Sequence, residues 1–583
     1  MKRKWVVKKS IPDDFILQHA QYPKSLLQIL YYRGLKDAHS IELFLRPPYG
    51  DVIYDPFLLP DMRAGVERVI RALESKEPIT VYADYDADAV TAAAVMIRTL
   101  RAFGADVSYY IPDRFAEGYG VNAEAIKEIA KRGARLIITV DCGITAVEEV
   151  AVAGELGVDV VVTDHHHVPS ILPKSVANIN PHRADSIYPF RDLTGVGVAF
   201  KFVQALIKVH DQDHRVTSPG WEKWLLDLVA VGTVADCQDL LGENRIFVKY
   251  GLTVLSKSRW PGVRAILSVA RVDAGKVLNT GTIGFQIAPR INAAGRIAHA
   301  DIALKLLLTE DNLEAADLAL KLENLNRQRQ QLTEGIVSEA REQIEKSGAK
   351  NKILFAVAPG WPKGIVGLVA GKLTEEFYRP VLVASQDDQF TIGSARSIPG
   401  FNIIEALEFA AEHAVRFGGH ATAAGFTIIN SKVNDFHQAL VQYAAAGLSD
   451  ELLEPTLFID AELSDQEEIS LNFAAEIDAL APFGQGNPRP YFLIKNLEVE
   501  RVRAVGSDDK HAQVFLTNPK IYGMKLRCIA FSRGYLTKVL KPGDRVDLVG
   551  ELMVDEWNGN KRLQFKLIDW RKNDESRTKF DSP

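Results

Sequence analysis

The sequence predicts a multidomain α/β protein: a parallel-sheet domain, a long connecting helix, a smaller α/β domain and a C-terminal β-barrel. Three observations predict it. From Asp61 to Val162 short apolar runs alternate with helical patterns, which is how βαβ units and a parallel sheet read. Residues 311–347 keep apolar positions at spacings of three and four through one long segment. From about Glu454 to Trp570 short β-rich runs follow one another between turn signals. At 583 residues there is length for three or four domains.

Composition excludes some classes. A net charge of -6 and a pI near 6.2 exclude a globally basic nucleic-acid binder, so a polyanion partner must be held by a local basic groove. Cys142, Cys237 and Cys528 stand too far apart for a CxxC site and are odd in number, which suggests a reducing compartment. The basic start MKRKWVVKKS is followed by IPDDF rather than an apolar run, and no apolar stretch approaches membrane-spanning length. A cytoplasmic location is expected.

In chain order, residues 1–50 carry short helical patterns up to a break at Pro47–Gly50, and are expected to cap the first domain, 51–310. That domain reads as helix Asp61–Ser75, strand Ile79–Ala83, helix Ala89–Phe103, strand Val107–Ile111, helix Asn122–Arg132, strand Leu136–Val140, helix Ala146–Leu156 and strand Val158–Val162. Ligands of such sheets bind beyond the carboxyl ends of the strands. The first strand runs into VYADYDADAVT, with Asp84, Asp86 and Asp88 two apart. If that segment is extended, three carboxylates share one side and repel unless a cation sits among them. A solvated acidic turn is the competing reading of a lone DxD. Two further strands end in Asp141-Cys-Gly and Asp164-His165-His166-His167, and three such ends on one edge favour a metal site. Oxygen ligands with one or two imidazoles suit Mn²⁺ or Mg²⁺ better than zinc. Thr194-Gly-Val-Gly-Val-Ala-Phe reads as a glycine turn opening a helix, but Phe200 replaces the third glycine of a dinucleotide fingerprint, so packing at a helix start is the preferred reading. The apolar run Leu228–Ala235 delivers Asp236, which either caps a helix or ligates a metal.

Residues 311–347 read as a helical spacer with a polar middle, Asn324–Gln331. Before it, Thr280-Gly-Thr-Ile-Gly and Pro289–Arg296 are expected to hold Arg290 and Arg296 near backbone turns, against a phosphate or carboxylate or in structural ion pairs. The smaller α/β domain, 348–450, has strands Ile353–Val357 and Val381–Ala384, then Thr391–Ser397, a helix from Asn402, and Phe417–Gly425. Ser394 and Arg396 alternate onto one strand face, and small residues surround His420. This suits a phosphate subsite, and a tight interdomain contact explains the glycines equally well. Residues 451–572 are expected to form an OB-type barrel of about five strands. Lys525, Arg527, Phe531, Arg533, Tyr535, Trp557, Lys561 and Arg562 could serve single-strand binding there, although aromatics in a barrel are more often core. The tail, 573–583, polar from Arg571 on, is expected to be disordered.

Taken in order, YADYDADAVT, TVDCG, TDHHH and VGTVADC resemble the four motifs of the DHH phosphoesterase superfamily, and FGGHATAAG resembles its companion DHHA1 domain. PDRFAEGYG at Pro112, GVGVAFK at Gly195, APRINAAGR at Ala288, GSARSIPGFNI at Gly393 and APFGQGNP at Ala481 are similar to signatures of the RecJ family. The resemblance implies a single-strand-specific 5′-to-3′ DNA exonuclease of repair and recombination that releases mononucleotides by two-metal hydrolysis with Mn²⁺ or Mg²⁺. It implies a metal shell of Asp84, Asp86, Asp88, Asp141, His165 and Asp236, with Asp141 shared between two cations. His166 would contact the scissile phosphate or complete the shell, and Asp164 would orient a histidine; with His165 and Asp86 these form the catalytic set. Arg114, Arg290, Arg296, Ser394, Arg396 and His420 would hold the DNA backbone and its 5′ end. Expected partners are single-stranded DNA, a RecQ-type helicase and a single-strand-binding protein, with the chain a monomer. The sequence departs from the pattern at Tyr82, where many DHH phosphatases have histidine, at Ala89 in place of glycine, and at Pro362, where relatives often have histidine. Hydrolases of short oligonucleotides in the superfamily usually lack the barrel, and catalytically silent relatives should have lost ligands that this chain keeps.

Overall fold

A computed structural model describes residues 3–50, 52–114, 116–118, 120–273, 277–347, 351–518, 524–557 and 559–573. The chain divides into two units: Ile53–Glu454 with Gly484–Gly486, and the remainder, up to Val52, Pro455–Phe483 and from Asn487 on. Phe115 and Tyr119 of the PDRFAEGYG segment, Asn558, the side chain of Trp557 and the tail from residue 574 lie outside the description.

The larger unit opens with α1 (Met62–Ser75) and continues with β1 (Ile79–Ala83), α2 (Ala87–Ala102), β2 (Val107–Tyr110), α3 (Ala123–Lys131), β3 (Leu136–Val140), α4 (Val147–Glu155), β4 (Asp159–Thr163) and β5 (Ala177–Ile179). The five strands form a wholly parallel sheet in the order β2-β1-β3-β4-β5. β1 and β3 are buried throughout, as a sheet covered on both faces requires. Ala83 pairs with Val140 and Val140 with Thr163, so the next residues, Asp84, Asp141 and Asp164, leave the sheet side by side. Strands lie about 4.8 Å apart, which brings the three acids to one edge. Two further helices, α5 (Gly195–His210) and α6 (Leu226–Ala235), are buried along most of their length and pack on α2.

Two local expectations are corrected here. The acidic segment is not extended: Asp86 accepts a hydrogen bond from Ala89 N (3.0 Å), so helix α2 starts two residues earlier than predicted and Asp88 sits in its first turn. Residues 280–297 do not turn around isolated arginines. A helical turn, Thr280–Thr282, runs into a π turn, Ile283–Ile287, and then α7 (Ala288–Ile297), with Pro289 in the first turn, where its missing N–H is tolerated.

The long helix α8 (Asn312–Lys346) is capped by Asp311, which accepts from Leu313 N and Glu314 N. It is a core element rather than a bare spacer. Leu318 and Leu322 are buried in its first half, and Ile336, Val337, Ala340 and Ile344 pack with the second α/β block. That block contains β6 (Leu354–Pro359), α9 (Val366–Phe377), β7 (Val381–Gln386), β8 (Phe390–Arg396), α10 (Ile403–Phe409), β9 (Ala414–His420) and β10 (Ala423–Ile429), in sheet order β9-β10-β8-β7-β6. β6 and β7 pair in parallel and the others antiparallel. Gly393 answers to packing: a Cβ there would stand 2.3 Å from the Phe426 ring.

In the smaller unit, β11 (Phe492–Val505), β12 (His511–Thr517), β13 (Lys525–Ala530), β14 (Arg545–Trp557) and β15 (Asn560–Lys572) form the ring β11-β12-β13-β15-β14, closed by pairing of β11 with β14. This five-strand barrel is the OB-type fold expected. The N-terminal segment belongs to the same unit as the barrel. Ile11, Phe15, Leu26, Leu27 and Ile29 share one apolar cluster with Phe473 and barrel residues Phe492 and Phe565, and strand Lys4–Val7 pairs with Thr456–Ile459. Arg571 and Lys572 belong to β15, not to a tail; Arg571 lies 4.0 Å over the Trp5 ring. Among the described residues, no helix is long and apolar enough to cross a membrane.

Candidate metal centre

The carboxyl edge of the parallel sheet collects acids from five segments. Asp84 follows β1, Asp141 follows β3 and Asp164 follows β4, while Asp88 comes from α2 and Asp236 from the end of α6, where it stands at the C-cap. Asp88 is buried but not orphaned: its two oxygens accept from Gly195 N (2.7 Å) and Val196 N (3.1 Å), the first amides of α5. Helix amino ends favour a carboxylate at that place. The glycine segment read as helix-start packing therefore also anchors a site carboxylate. Two glycines are demanded by the acids. A Cβ on Gly195 would lie 2.2 Å from Asp141 Oδ1, and one on Gly232 would lie 2.6 Å from Asp88 Oδ1.

Two sets of ligand atoms, each within 4.8 Å of one another, meet here: Asp88, His165 and Asp236, and Asp141, His165 and His166. His165 is common to both, its Nε2 standing 3.1 Å from Asp141 Oδ1 and 3.9 Å from Asp236 Oδ2. Asp141 Oδ1 is near that nitrogen without the alignment of a hydrogen bond. Together with Asp84 Oδ1 and Asp236 Oδ2 it is a buried carboxylate oxygen lacking any hydrogen-bond partner. Crowded, unsatisfied oxygens beside imidazole nitrogens are what a divalent cation completes, so the donor set fits a hard cation such as Mn²⁺ or Mg²⁺.

Protonation follows the same geometry. Burial first, then the Asp86 carboxylate, push Asp84 up to about 7 and Asp141 well above the usual carboxylate range. Burial, then Asp141 and Asp236, raise Asp88. Asp164 goes the other way. Burial would raise it, but its hydrogen bond from His166 Nδ1 (2.7 Å), the His166 charge and the amides of Ile144 and His166 outweigh burial and hold it low. His166 is correspondingly raised, its bond to Asp164 overcoming burial. Asp164 thus orients His166 through Nδ1 rather than facing the cluster.

Beside the acids lies a group of arginines. Arg114 lies 4.8 Å over the ring of Tyr85, within the acidic loop. Arg296, at the end of α7, donates to Gly364 O (3.1 Å) and is lowered to about 10 by burial, then by Arg114 and Arg329. Burial also lowers Arg396, whose Nη1 donates to Ser394 Oγ (2.9 Å). A Cβ on Gly367 would stand 3.1 Å from Ser394 Oγ and 3.3 Å from Arg396 Nη2, so both line the start of α9. Among the described residues, Arg296 and Arg396 have no carboxylate partner. Like-charged guanidiniums held close and unpaired leave an anion to be supplied from outside.

Arg290 does not join them. Its guanidinium is spent on Glu323 of α8 (2.7 Å) and on the Gln286 carbonyl, which is the structural ion pair weighed in the sequence. His420 stands exposed at the end of β9. It pairs with Ala423, which also pairs with Arg396 on the other side, so His420 shares the sheet end with Arg396 two strands away. Asp84 and Asp86 lie outside both ligand-atom sets, and Asp86 uses one oxygen to cap α2. Tyr82 points to the core instead: it is fully buried, stacks on Tyr110 (5.4 Å) and donates to Gly120 O (3.0 Å). In the barrel, Lys525, Arg527 and Arg562 line a groove of about 280 Å³ with Phe515, while Arg533 donates to Ile568 O.

Sequence reasoning missed several residues. Asn292 accepts from Ala87 N (2.9 Å) and so ties α7 to the acidic loop, and a Cβ on Gly295 would lie 2.6 Å from Tyr85 O. Arg329 of α8 adds to the charge around Arg296. Asn292 and Gly295 lie inside APRINAAGR, so that segment held the signal; Arg329 sits in a polar helix face without one.

Comparison with known proteins gives an independent account. Family models match in order: DHH family, N-terminal domain, at residues 78–233, DHHA1 domain at 350–446 and RecJ OB domain at 459–569. The single-stranded-DNA-specific exonuclease RecJ of Bacillus subtilis is 39% identical over 97% of this chain and 71% of its own. The crystal structure of RecJ from Thermus thermophilus in complex with Mn²⁺ superposes with a TM-score of 0.82 at 30% identity, covering 98% of this chain and 80% of that one. The complex with Mg²⁺ from the same organism gives a TM-score of 0.76 at 29% identity, covering 98% and 79%.

Proposed function

Because the chain belongs to the RecJ family of single-stranded-DNA-specific exonucleases, we propose that it hydrolyses single-stranded DNA stepwise from the 5′ end to mononucleotides, with divalent cations held at the sheet edge. The observation that carries this reading is the pair of buried, unpartnered oxygens of Asp141 and Asp236 on either side of His165, with a third on Asp84 at the same sheet edge, next to arginines that, among the described residues, form no ion pair with a carboxylate. Bound among those oxygens, Mn²⁺ or Mg²⁺ supplies a Lewis acid and a water activated at neutral pH.

The chain's own residues do the rest. Asp88, fixed by the first amides of α5, Asp141, wedged against Gly195, and Asp236, at the end of α6, hold their carboxylates at set positions, with His165 between them. Asp84 and Asp86 complete the acidic wall. Asp164 holds His166 through Nδ1 and favours its protonated form, leaving the other ring nitrogen to meet the scissile phosphate. Arg296, Arg396 and Ser394, with Arg114 and His420 at the margin, take the 5′ phosphate and the following backbone. Burial sharpens this pairing, because an anion there replaces no carboxylate.

The enzyme acts in DNA repair and recombination, in the cytoplasm, as a monomer fed by a helicase and a single-strand-binding protein; the barrel tracks the strand. Full-length protein with Mn²⁺ and either 5′- or 3′-labelled single strands tests this. Mononucleotides should leave from the 5′ end, and none should appear with EDTA or from Asp86→Ala or His165→Ala. Release from the 3′ end, or equal degradation of duplex ends, would sink the reading.

A further inference from the structure

Phe285 is out of place for a residue of its type. Its ring is 84% exposed, while Ile283 and Ile287 on either side are 0% and 1% exposed. Ile283 and Ile287, four residues apart on the π turn Ile283–Ile287, share the face that packs in the core, and Phe285, midway between them, lies on the opposite face. Such turns recur at functional sites.

This turn is fixed on both sides of the metal centre. A Cβ on Gly284 would stand 3.9 Å from Val234 Cγ1, two residues before Asp236 on α6. Seven residues after Phe285, Asn292 accepts from Ala87 N of the acidic loop. Seven residues of helix span about 10 Å, so the ring projects within a few nucleotides of the cluster. The turn is also clamped. Arg290 Nη1 donates to the Gln286 carbonyl while Nε donates to Glu323 Oε2 (2.7 Å), and the other Glu323 oxygen takes Arg327 Nε (2.7 Å). Arg290 so braces the carbonyl next to the exposed ring.

We propose that Phe285 is a base-stacking residue for the single-stranded substrate, its ring taking the face of one unpaired base near the metal centre, with Arg290 and Glu323 as its positioning pair. This rests on the single-strand-exonuclease reading above. Every base has a π face, so a stacking platform binds without sequence preference, and a base inside a duplex, covered by its neighbours, cannot use it.

The test uses 5′-phosphorylated oligo(dT) carrying one abasic residue at successive positions. KM and kcat for release of the first nucleotide are measured in Mn²⁺, and Kd in EDTA by anisotropy. In the unaltered protein one abasic position should raise KM and Kd about tenfold with kcat nearly unchanged, the worth of one stacked base. Phe285→Ala should weaken the intact strand by a similar factor and abolish sensitivity to that position, and Phe285→Trp should restore both. If Phe285→Ala binds as tightly as the unaltered protein, or keeps the same positional penalty, the stacking role is wrong. Absence of any exonuclease activity would overturn the reading it rests on, while the anisotropy series would still decide Phe285.

Discussion

The sheet edge and the barrel groove both bring charged side chains next to aromatic rings, but in opposite settings. At the edge, Asp84, Asp88 and Asp141 are buried among other carboxylates. In the groove, Lys525, Arg527 and Arg562 stand at the surface around Phe515, with Arg501 over the same ring at 4.3 Å and Arg527 near Asp555 at 3.8 Å. A buried charge that lacks a partner costs several kcal/mol, so these acids either hold protons, as their raised titration in the metal-free protein indicates, or are matched by a cation. Surface charges are screened within about 10 Å and each contributes under about 1 kcal/mol, so the groove stands without any ligand. The same residue chemistry is therefore diagnostic in one place and only permissive in the other.

The largest effect should come from the buried side. Asp141→Asn should lower turnover on single strands by about 10³-fold or more and abolish the rise in Tm on adding Mn²⁺. If both survive, the edge is not a metal site and the comparison fails. Next come the arginines: Arg396→Ala or Arg296→Ala should raise KM for a 5′-phosphorylated strand by about 10- to 100-fold, with less effect on a 5′-hydroxyl strand. Equal effects on both strands would remove them from the terminal phosphate.

Metal affinity should also depend on pH with a definite sign. Asp84 is raised to about 7 in the folded protein, above its ordinary value, so the folded state holds this proton more tightly than the unfolded. The contribution of Asp84 to the stability of the metal-free protein is accordingly present in full at low pH and lost as pH rises from about 4 to about 7. A cation competes with the proton, so the Tm gain from Mn²⁺ should be larger at pH 8 than at pH 6; a gain independent of pH would contradict the burial argument.

Effects at the groove should be small. Lys525→Ala or Arg562→Ala should weaken strand binding about two- to threefold at physiological salt and lower the salt slope by about 1 for each phosphate that is no longer neutralised. A loss as large as that of Arg396→Ala would erase the contrast. The smallest change belongs to Tyr82→Phe. Losing its bond to Gly120 O should lower stability by about 1 kcal/mol in denaturant titration and leave turnover unchanged, because the hydroxyl faces the core.

Local features were legible along the chain. Largely apolar runs made β1, β3 and β4, their ends carried Asp84, Asp141 and Asp164, and parallel pairing then put those acids on one edge. The helix at Asn312–Lys346 was equally legible from its periodicity. The tertiary structure decided what depends on partners far away in the chain. Arg290 and Arg296, six residues apart on one helix, look alike in sequence; they differ because Glu323 forms an ion pair with one and, among the described residues, no carboxylate forms one with the other. Asp88 was recognisable as an acid, but its anchors are the backbone amides of Gly195 and Val196, and amides have no side-chain signature. The N-terminal segment joined the barrel unit because its apolar residues are generic and only the global fold chooses which core they complete. Periodicity and capping act within a few residues and can be read from sequence, whereas pairing across a hundred residues or more is set by packing.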